Sequence, residues 1–141
     1  MKIAILDDYQ NAVSQLKCFD LVKDYDVKIL NRSYTNAADL ASEIKDAQIL
    51  VLIRERTKID DELLSLLPNL KLISQTGKIS NHLDLAACTK HGVAVSEGIG
   101  SPIAPAELTW TLIMNATRKI PQAIEAMKKG EWQTNIGSTI H

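Results

Sequence analysis

Residues that could bind an anion follow two consecutive apolar runs of the sequence. Arg54 comes directly after one run, and the segment QTGKI (75–79) follows the next. In a parallel α/β sheet, ligands bind beyond the carboxyl ends of the strands, and consecutive strands often lie side by side. A guanidinium beside exposed backbone N–H groups suits a carboxylate or a phosphate. The alternative is a surface Arg54 paired with Glu55 or Glu62, and the residue types alone favour neither interpretation.

A phosphoryl-accepting receiver domain is a second interpretation of the same pattern. Such domains carry an acidic pair after the first strand, as Asp7 and Asp8 do here. They also need a carboxylate after the third strand and a lysine after the fifth. Arg54 and Glu97 stand at those two places and carry the opposite charges. The acidic pair is therefore predicted to form a polar turn in which an aspartate caps a helix.

The glycine pattern gives little support for a nucleotide site. A dinucleotide fingerprint needs GxGxxG between a strand and a helix, with an acidic residue about twenty positions later. Gly98 and Gly100 have the first spacing, but the third glycine is absent, and no P-loop motif occurs.

Histidine and cysteine spacing indicates neither a metal site nor an activated nucleophile. The histidines are predicted to be ordinary turn or helix-end residues and the cysteines small core residues. These residues are His82, His91, His141, Cys18 and Cys88.

Length and composition are typical of one ordinary globular domain. The chain has 141 residues, of which 45% are hydrophobic and 23% charged, and this is enough for a single core. The net charge of −1 argues against a nucleic-acid surface. The longest apolar run, 49–53, is too short to cross a membrane, and acidic residues interrupt the N-terminus where a signal peptide stays apolar. We therefore expect a cytoplasmic protein with no nucleic-acid or membrane partner.

Strand-like and helix-like segments alternate over the first hundred residues. Apolar runs predict strands at 2–6, 26–30, 47–53, 70–74 and 93–96. Helical patterns lie at 11–19, 36–47, 60–67 and 83–90. Continuous apolar strands are typical of parallel sheets covered by helices on both faces, so the fold class is α/β.

The last forty residues have a different pattern. Ser101 and Pro102 predict the start of a helix, because a side-chain cap precedes proline at the first helical position. The helix that follows, 103–117, is apolar on nearly every side and should be covered all round. A second helix is predicted from Pro121 to a stop at Gly130.

Three segments resemble one protein family. They are LIRERTKIDDELLSLLPNLKLIS (52–74), TGKISNHLDLAACTKHGVAV (76–95) and PAELTWTLIMNATRKIPQAIEAMKKGEW (105–132). Together they resemble the D-isomer-specific 2-hydroxyacid dehydrogenases, especially the D-3-phosphoglycerate dehydrogenase-like members. The resemblance implies a flavodoxin-like substrate-binding domain over 1–100, with a parallel five-stranded sheet in the order 2-1-3-4-5. It also implies that 101–141 forms a hinge helix and a helical arm, the start of an NAD-binding domain.

The resemblance also implies that this chain is the N-terminal part of a longer enzyme. In the family, the GxGxxG strand follows shortly after the KxGxW element, and this chain ends before it. The family's catalytic histidine, its acidic partner and its catalytic arginine would also lie beyond the chain. We therefore expect an NAD- or NADP-dependent oxidoreductase acting on the CH–OH group of D-2-hydroxy acids such as 3-phosphoglycerate. This chain alone should be inactive and should not bind the cofactor; the alternative is a stand-alone small-acid-binding or regulatory module.

The resemblance assigns roles to individual residues. The loop 76–79 matches the family loop whose backbone N–H groups hold the substrate carboxylate, so its glycine would permit close backbone approach rather than bind a pyrophosphate. Arg54 would assist with the same carboxylate, and Ser101 would lie near the substrate at the hinge. Lys78 would face both substrate and nicotinamide, and Pro105 would face NAD. The substrate-binding set is Arg54, Gly77, Lys78, Ile79 and Ser101; the cofactor-binding set is Lys78 and Pro105; no metal ligand is expected.

Three positions depart from the family pattern. Ile79 replaces a second glycine, Asn81 replaces an aspartate and Ser101 replaces an asparagine. These departures leave the identity of the small 2-hydroxy or 2-oxo acid open. The resemblance further implies a homodimer formed through the helices of 102–132.

Overall fold

Five parallel strands form the centre of the first part of the protein in the computed structural model, which describes residues 1–140. The strands are β1 (Lys2–Leu6), β2 (Asp26–Ile29), β3 (Ile49–Leu52), β4 (Leu72–Gln75) and β5 (Ala94–Glu97). Their order across the sheet is β2-β1-β3-β4-β5, and all four neighbouring pairs are parallel. The fold class and strand order expected from the sequence are therefore confirmed. His141 lies outside the described residues.

The middle strands carry the apolar core. Leu50 in β3 and Ile73 in β4 are completely buried, and Leu6 in β1 is 1% exposed. These residues lie in the continuous apolar runs of the sequence, as expected for parallel strands that are covered by helices. The edge strand β2 has no buried residue.

Short helices connect the strands, and each begins with a side-chain cap. They are α1 (Ala37–Ile44), α2 (Asp61–Ser65) and α3 (Leu85–Lys90). The capping side chains of Asn36, Asp60 and Asp84 each accept a hydrogen bond from the backbone N–H three residues later. Such caps satisfy amide groups that the helix itself leaves without a partner.

The prediction of a helix at 11–19 is wrong. This segment contains two short 3-10 helices, Val13–Gln15 and Lys17–Leu21, and neither buries a residue. The carboxylate of Asp8 accepts hydrogen bonds from the N–H groups of Ala12 and Val13, both at 3.0 Å. The polar turn predicted for the acidic pair is thus confirmed for Asp8, but the prediction that it caps a helix is wrong, because without a buried apolar face the turn does not extend into an α-helix.

The two cysteines differ in their surroundings. Cys88 is 1% exposed, and burial raises the pKa of its thiol. Cys18 is exposed, so the prediction of a core residue holds for Cys88 and is wrong for Cys18.

Asp60 offers a direct test of the capping interactions. Its carboxylate accepts from the N–H of Leu63 at 3.1 Å and pairs with Lys58 at 2.9 Å. Replacing Asp60 by alanine should lower the free energy of unfolding by about 0.5–2 kcal/mol, because the cap is lost. Urea unfolding at neutral pH measures the difference.

Asp60→Asn is the matched control, because asparagine keeps the acceptor for Leu63 and loses only the ion pair. The Lys58 ammonium and then the Leu63 N–H hold the pKa of the Asp60 carboxyl below its ordinary value. The stabilisation is therefore present above the carboxyl's unfolded pKa and is lost as the pH falls through the lower, folded pKa. An equal loss in both variants would assign the effect to the ion pair instead of the cap.

The chain divides into two compact units, Met1–Gly100 and a second unit from Ser101 onward. The second unit contains α4 (Ile103–Thr117) and α5 (Ile120–Lys128). Helix α5 follows Lys119, which has φ 52°, and is followed by Gly130 at φ 76°. No helix among residues 1–140 is long and apolar enough to cross a membrane.

Helix α4 buries none of its residues. The sequence predicts that this helix is covered all round, whereas the structure leaves its large apolar side chains exposed. These include Leu108, Trp110, Leu112, Ile113 and Met114. An exposed apolar surface of this kind is typical of a segment that binds another protein surface.

Candidate functional site

Strand register brings the predicted carboxylate-binding residues to one edge of the sheet. Leu52 of β3 lies opposite Gln75 of β4, and Gln75 lies opposite Glu97 of β5. Arg54 and Gly77 therefore follow neighbouring strands at equal distances along the chain. The backbone N–H and the hydroxyl of Thr76 both donate to the carbonyl of Leu52, at 3.0 and 2.9 Å. These bonds join the start of the 76–79 loop to the end of β3.

The buried side chain of Gln75 forms a hydrogen bond with the backbone of Arg54. This side chain is 2% exposed, and its amide donates to the carbonyl of Arg54 at 3.2 Å. The Oε1 atom of the same amide lies 3.2 Å from Nε2 of His82. Because the amide nitrogen already faces Arg54, the amide oxygen faces His82, which indicates a proton on Nε2. Nδ1 of His82 is buried with no hydrogen-bond partner among the described residues.

Arg54 has a strained backbone and an exposed side chain. Its φ is 60°, in the left-handed region that non-glycine residues rarely adopt. Such a conformation costs on the order of 1–3 kcal/mol and is common at ligand sites. Within residues 1–140, Arg54 forms no salt bridge, and neither Glu55 nor Glu62 pairs with it. Its guanidinium is thus available for an external anion.

The loop 76–79 already holds one carboxylate, that of Glu97. Ile79 N–H donates to Oε2 of Glu97 at 3.0 Å, and the Lys78 ammonium donates to Oε1. The Ile79 N–H, followed by Lys78, lowers the pKa of the Glu97 carboxyl. The N–H groups of Gly77 and Lys78 donate to no described protein atom. The loop therefore has donors suited to a carboxylate, and two of them, the Lys78 ammonium and the Ile79 N–H, are occupied by Glu97.

The two glycines beside this loop have different surroundings. A Cβ atom on Gly77 would meet no atom within 4 Å, so protein packing does not require glycine there. A Cβ on Gly98 would lie 2.8 Å from the carbonyl oxygen of Thr76. The N–H of Gly98 donates to the carbonyls of Gln75 and Gly77, at 2.9 and 3.0 Å. Gly98 thus packs the loop against the end of β5, and this contact requires a residue without a side chain.

Ser101 and Pro105 belong to the second unit, and both are exposed. The hydroxyl of Ser101 accepts from the N–H of Ile103 at 3.4 Å, at the start of α4. The carbonyl of Pro105 accepts from the hydroxyl of Thr109 at 2.7 Å. Their roles toward substrate and NAD stay predictions.

Helix α4 does not open on a glycine-rich turn. A pyrophosphate needs a glycine-rich turn that opens a helix. Helix α4 begins after Pro102, which makes no side-chain cap, and Gly98 is packed against the 76–79 loop. The start of α4 therefore has no pyrophosphate-binding turn of this kind among the described residues.

Comparison with known proteins identifies the family. A family model described as "D-isomer specific 2-hydroxyacid dehydrogenase, catalytic domain" matches residues 3–139. The chain belongs to this family. The family relationship and the strand order confirm both the resemblance and the substrate-domain fold.

Individual relatives of this chain are also dehydrogenases or oxidoreductases of 2-hydroxy acids. A phosphoglycerate oxidoreductase from Vibrio cholerae O395 is 52% identical, with a TM-score of 0.88 over 99% of this chain and 45% of that chain. The D-3-phosphoglycerate dehydrogenase of Methanocaldococcus jannaschii is 38% identical over 67% of this chain and 18% of its own length. The D-lactate dehydrogenase of Aquifex aeolicus, solved with NAD and lactic acid, is 25% identical, with a TM-score of 0.65 over 94% of this chain and 39% of that chain. The chain thus spans less than half the length of each of these proteins.

Sequence reasoning named Arg54 and the 76–79 loop, but it missed the residues that support them. Glu97 and Gly98 contact the loop, Gln75 contacts the backbone of Arg54, and no short motif marks these three residues. The available signal was position: all three stand at or just beyond the carboxyl end of a strand.

Proposed function

We propose that this chain is the substrate-carboxylate-binding part of an NAD-dependent oxidoreductase acting on the CH–OH group of D-2-hydroxy acids. The observation that carries the proposal is the position of Arg54, which forms no salt bridge within residues 1–140 and follows the strand next to a loop that already binds the carboxylate of Glu97. A ligand carboxylate could use the same type of contact, together with Arg54. The phosphoglycerate and lactate dehydrogenases among its relatives support an acid of this class.

In this proposal the chain binds and orients, and residues beyond it carry out the reaction. Arg54 and the N–H groups of the 77–79 loop would fix the carboxylate, and Lys78 would lie next to it. NAD would accept the hydride in the complete enzyme. The catalytic histidine, its acidic partner and the catalytic arginine would be supplied by the remainder of the protein, so residues 1–141 alone should be inactive.

Glycolate, the smallest 2-hydroxy acid, tests the binding site. A ligand with so few atoms should bind with a Kd on the order of 1–10 mM. Titration followed by amide NMR should show saturable shifts of Gly77, Lys78 and Ile79. Glycolamide is the matched control, because it lacks only the carboxylate charge. Equal shifts with both compounds, or no shift in the loop, would contradict the proposal.

The reading frame that contains this chain tests the enzyme assignment. If translation continues past residue 141 into a strand and GxGxxG, the full product should reduce NAD with D- but not L-2-hydroxy acids. A stop codon directly after residue 141 would instead favour a small-acid-binding or regulatory module.

The exposed helix α4 supports a proposal about partners. We expect the chain to form homodimers through the helices of 102–132, since apolar side chains such as Leu108 and Trp110 are 60% and 58% exposed. Light scattering at micromolar concentration should give twice the monomer mass. A monomer at that concentration would contradict this expectation, and Trp110→Glu should dissociate a dimer that forms as proposed.

A further inference from the structure

Glu97 occupies donors that the proposed function assigns to the ligand. One carboxylate oxygen of Glu97 accepts from the N–H of Ile79 and the other pairs with the Lys78 ammonium. This two-point contact is the arrangement in which a loop of backbone amides binds a free carboxylate.

The backbone of Glu97 is held in the sheet, whereas its side chain is partly exposed to solvent and can rotate away from the loop. Glu97 ends β5 opposite Gln75, and the N–H of the next residue, Gly98, bonds to two carbonyls of the neighbouring strand and loop. The ion pair itself faces solvent, with side-chain exposures of 67% for Lys78 and 37% for Glu97. Solvent-exposed pairs are weak, so rotation of the Glu97 side chain would release both donors at small cost.

We infer that Glu97 is a specificity-determining residue whose carboxylate competes directly with the substrate carboxylate for Lys78 and the Ile79 N–H. This inference rests on the proposed function. The free energy that a ligand carboxylate gains by binding the loop and Arg54 must exceed the free energy that Glu97 gains by binding the loop. Neutral compounds of the same shape carry no negative charge to replace that of Glu97 beside Lys78 and do not displace Glu97, whereas a 2-hydroxy acid carboxylate does.

Glu97→Gln tests the competition, because glutamine keeps the shape and removes the charge. In the 141-residue chain, this variant should bind glycolate about two- to fivefold more tightly than the wild type, which corresponds to loss of one exposed ion pair. Glu43→Gln is the matched control: Glu43 pairs with Lys28 and Arg32 in another exposed cluster and should leave glycolate binding unchanged.

A second variant separates direct competition from a general charge effect. In a Lys78→Met background, the gain from Glu97→Gln should shrink, since one of the two contested donors is gone. An undiminished gain would show that Glu97 acts through long-range charge and would overturn direct competition.

The possible results separate this inference from the proposed function. Tighter binding by Glu97→Gln, with Glu43→Gln unchanged, supports the inference. Unchanged or weaker binding by Glu97→Gln, while the wild type binds glycolate, overturns the inference but does not contradict the proposed carboxylate site. Absence of glycolate binding in the wild type and in every variant overturns both.

Discussion

Replacing Arg54 by glutamine should weaken glycolate binding about 10- to 100-fold. Charge-assisted hydrogen bonds are worth about 1.5–3 kcal/mol each, and Arg54 forms no salt bridge within residues 1–140 that would compete with a ligand. Glutamine is unbranched at Cβ, so it should tolerate the left-handed backbone about as well as arginine does. Amide NMR titration measures the affinity of each variant, and thermal unfolding checks that the fold is retained.

Two controls separate the guanidinium's geometry from its charge. Arg54→Lys keeps the charge but loses the planar fork, so an intermediate loss is expected. Arg32→Gln removes a positive charge far from the loop, where Arg32 pairs with Glu43, and should leave affinity unchanged. If Arg54→Gln binds glycolate as tightly as the wild type, the ligand does not use this arginine.

The strands of this fold were predictable because their apolar runs must be buried. Parallel strands covered by helices need apolar residues on both faces, and Ile49–Leu52 and Leu72–Gln75 lie within or next to such runs. The segment 11–19 was mispredicted because its scattered apolar residues meet no core. Helical spacing alone therefore predicts a helix only where a buried face exists to stabilise it.

The supporting contacts of the site depend on strand pairing, which short sequence patterns do not show. The bond between Ile79 and Glu97 joins residues 18 positions apart, and that between Gln75 and Arg54 joins residues 21 apart. Both exist because β4 lies between β3 and β5. Once the strand order is known, the residues that end neighbouring strands can be read as one cluster.

Gly98 should be intolerant of even one added methyl group. In Gly98→Ala, the new Cβ would lie 2.8 Å from the carbonyl oxygen and 3.1 Å from the carbonyl carbon of Thr76. Both atoms are backbone, so either β5 or the 76–79 loop must move. Overpacking of this kind costs about 1–3 kcal/mol, which urea unfolding would detect. Glycolate binding should weaken as well, because the displaced loop presents its N–H groups at changed positions.

Gly100→Ala is the matched control, because it adds the same methyl group two residues later. A Cβ there meets no atom within 4 Å, so its effect on the free energy of unfolding should stay within about 0.5 kcal/mol. A general preference for glycine in this segment would make the two variants equally unstable. A large loss in Gly98→Ala alone would instead show that contact with Thr76 requires the glycine. The loop geometry that serves the carboxylate would then depend on a residue outside the loop itself.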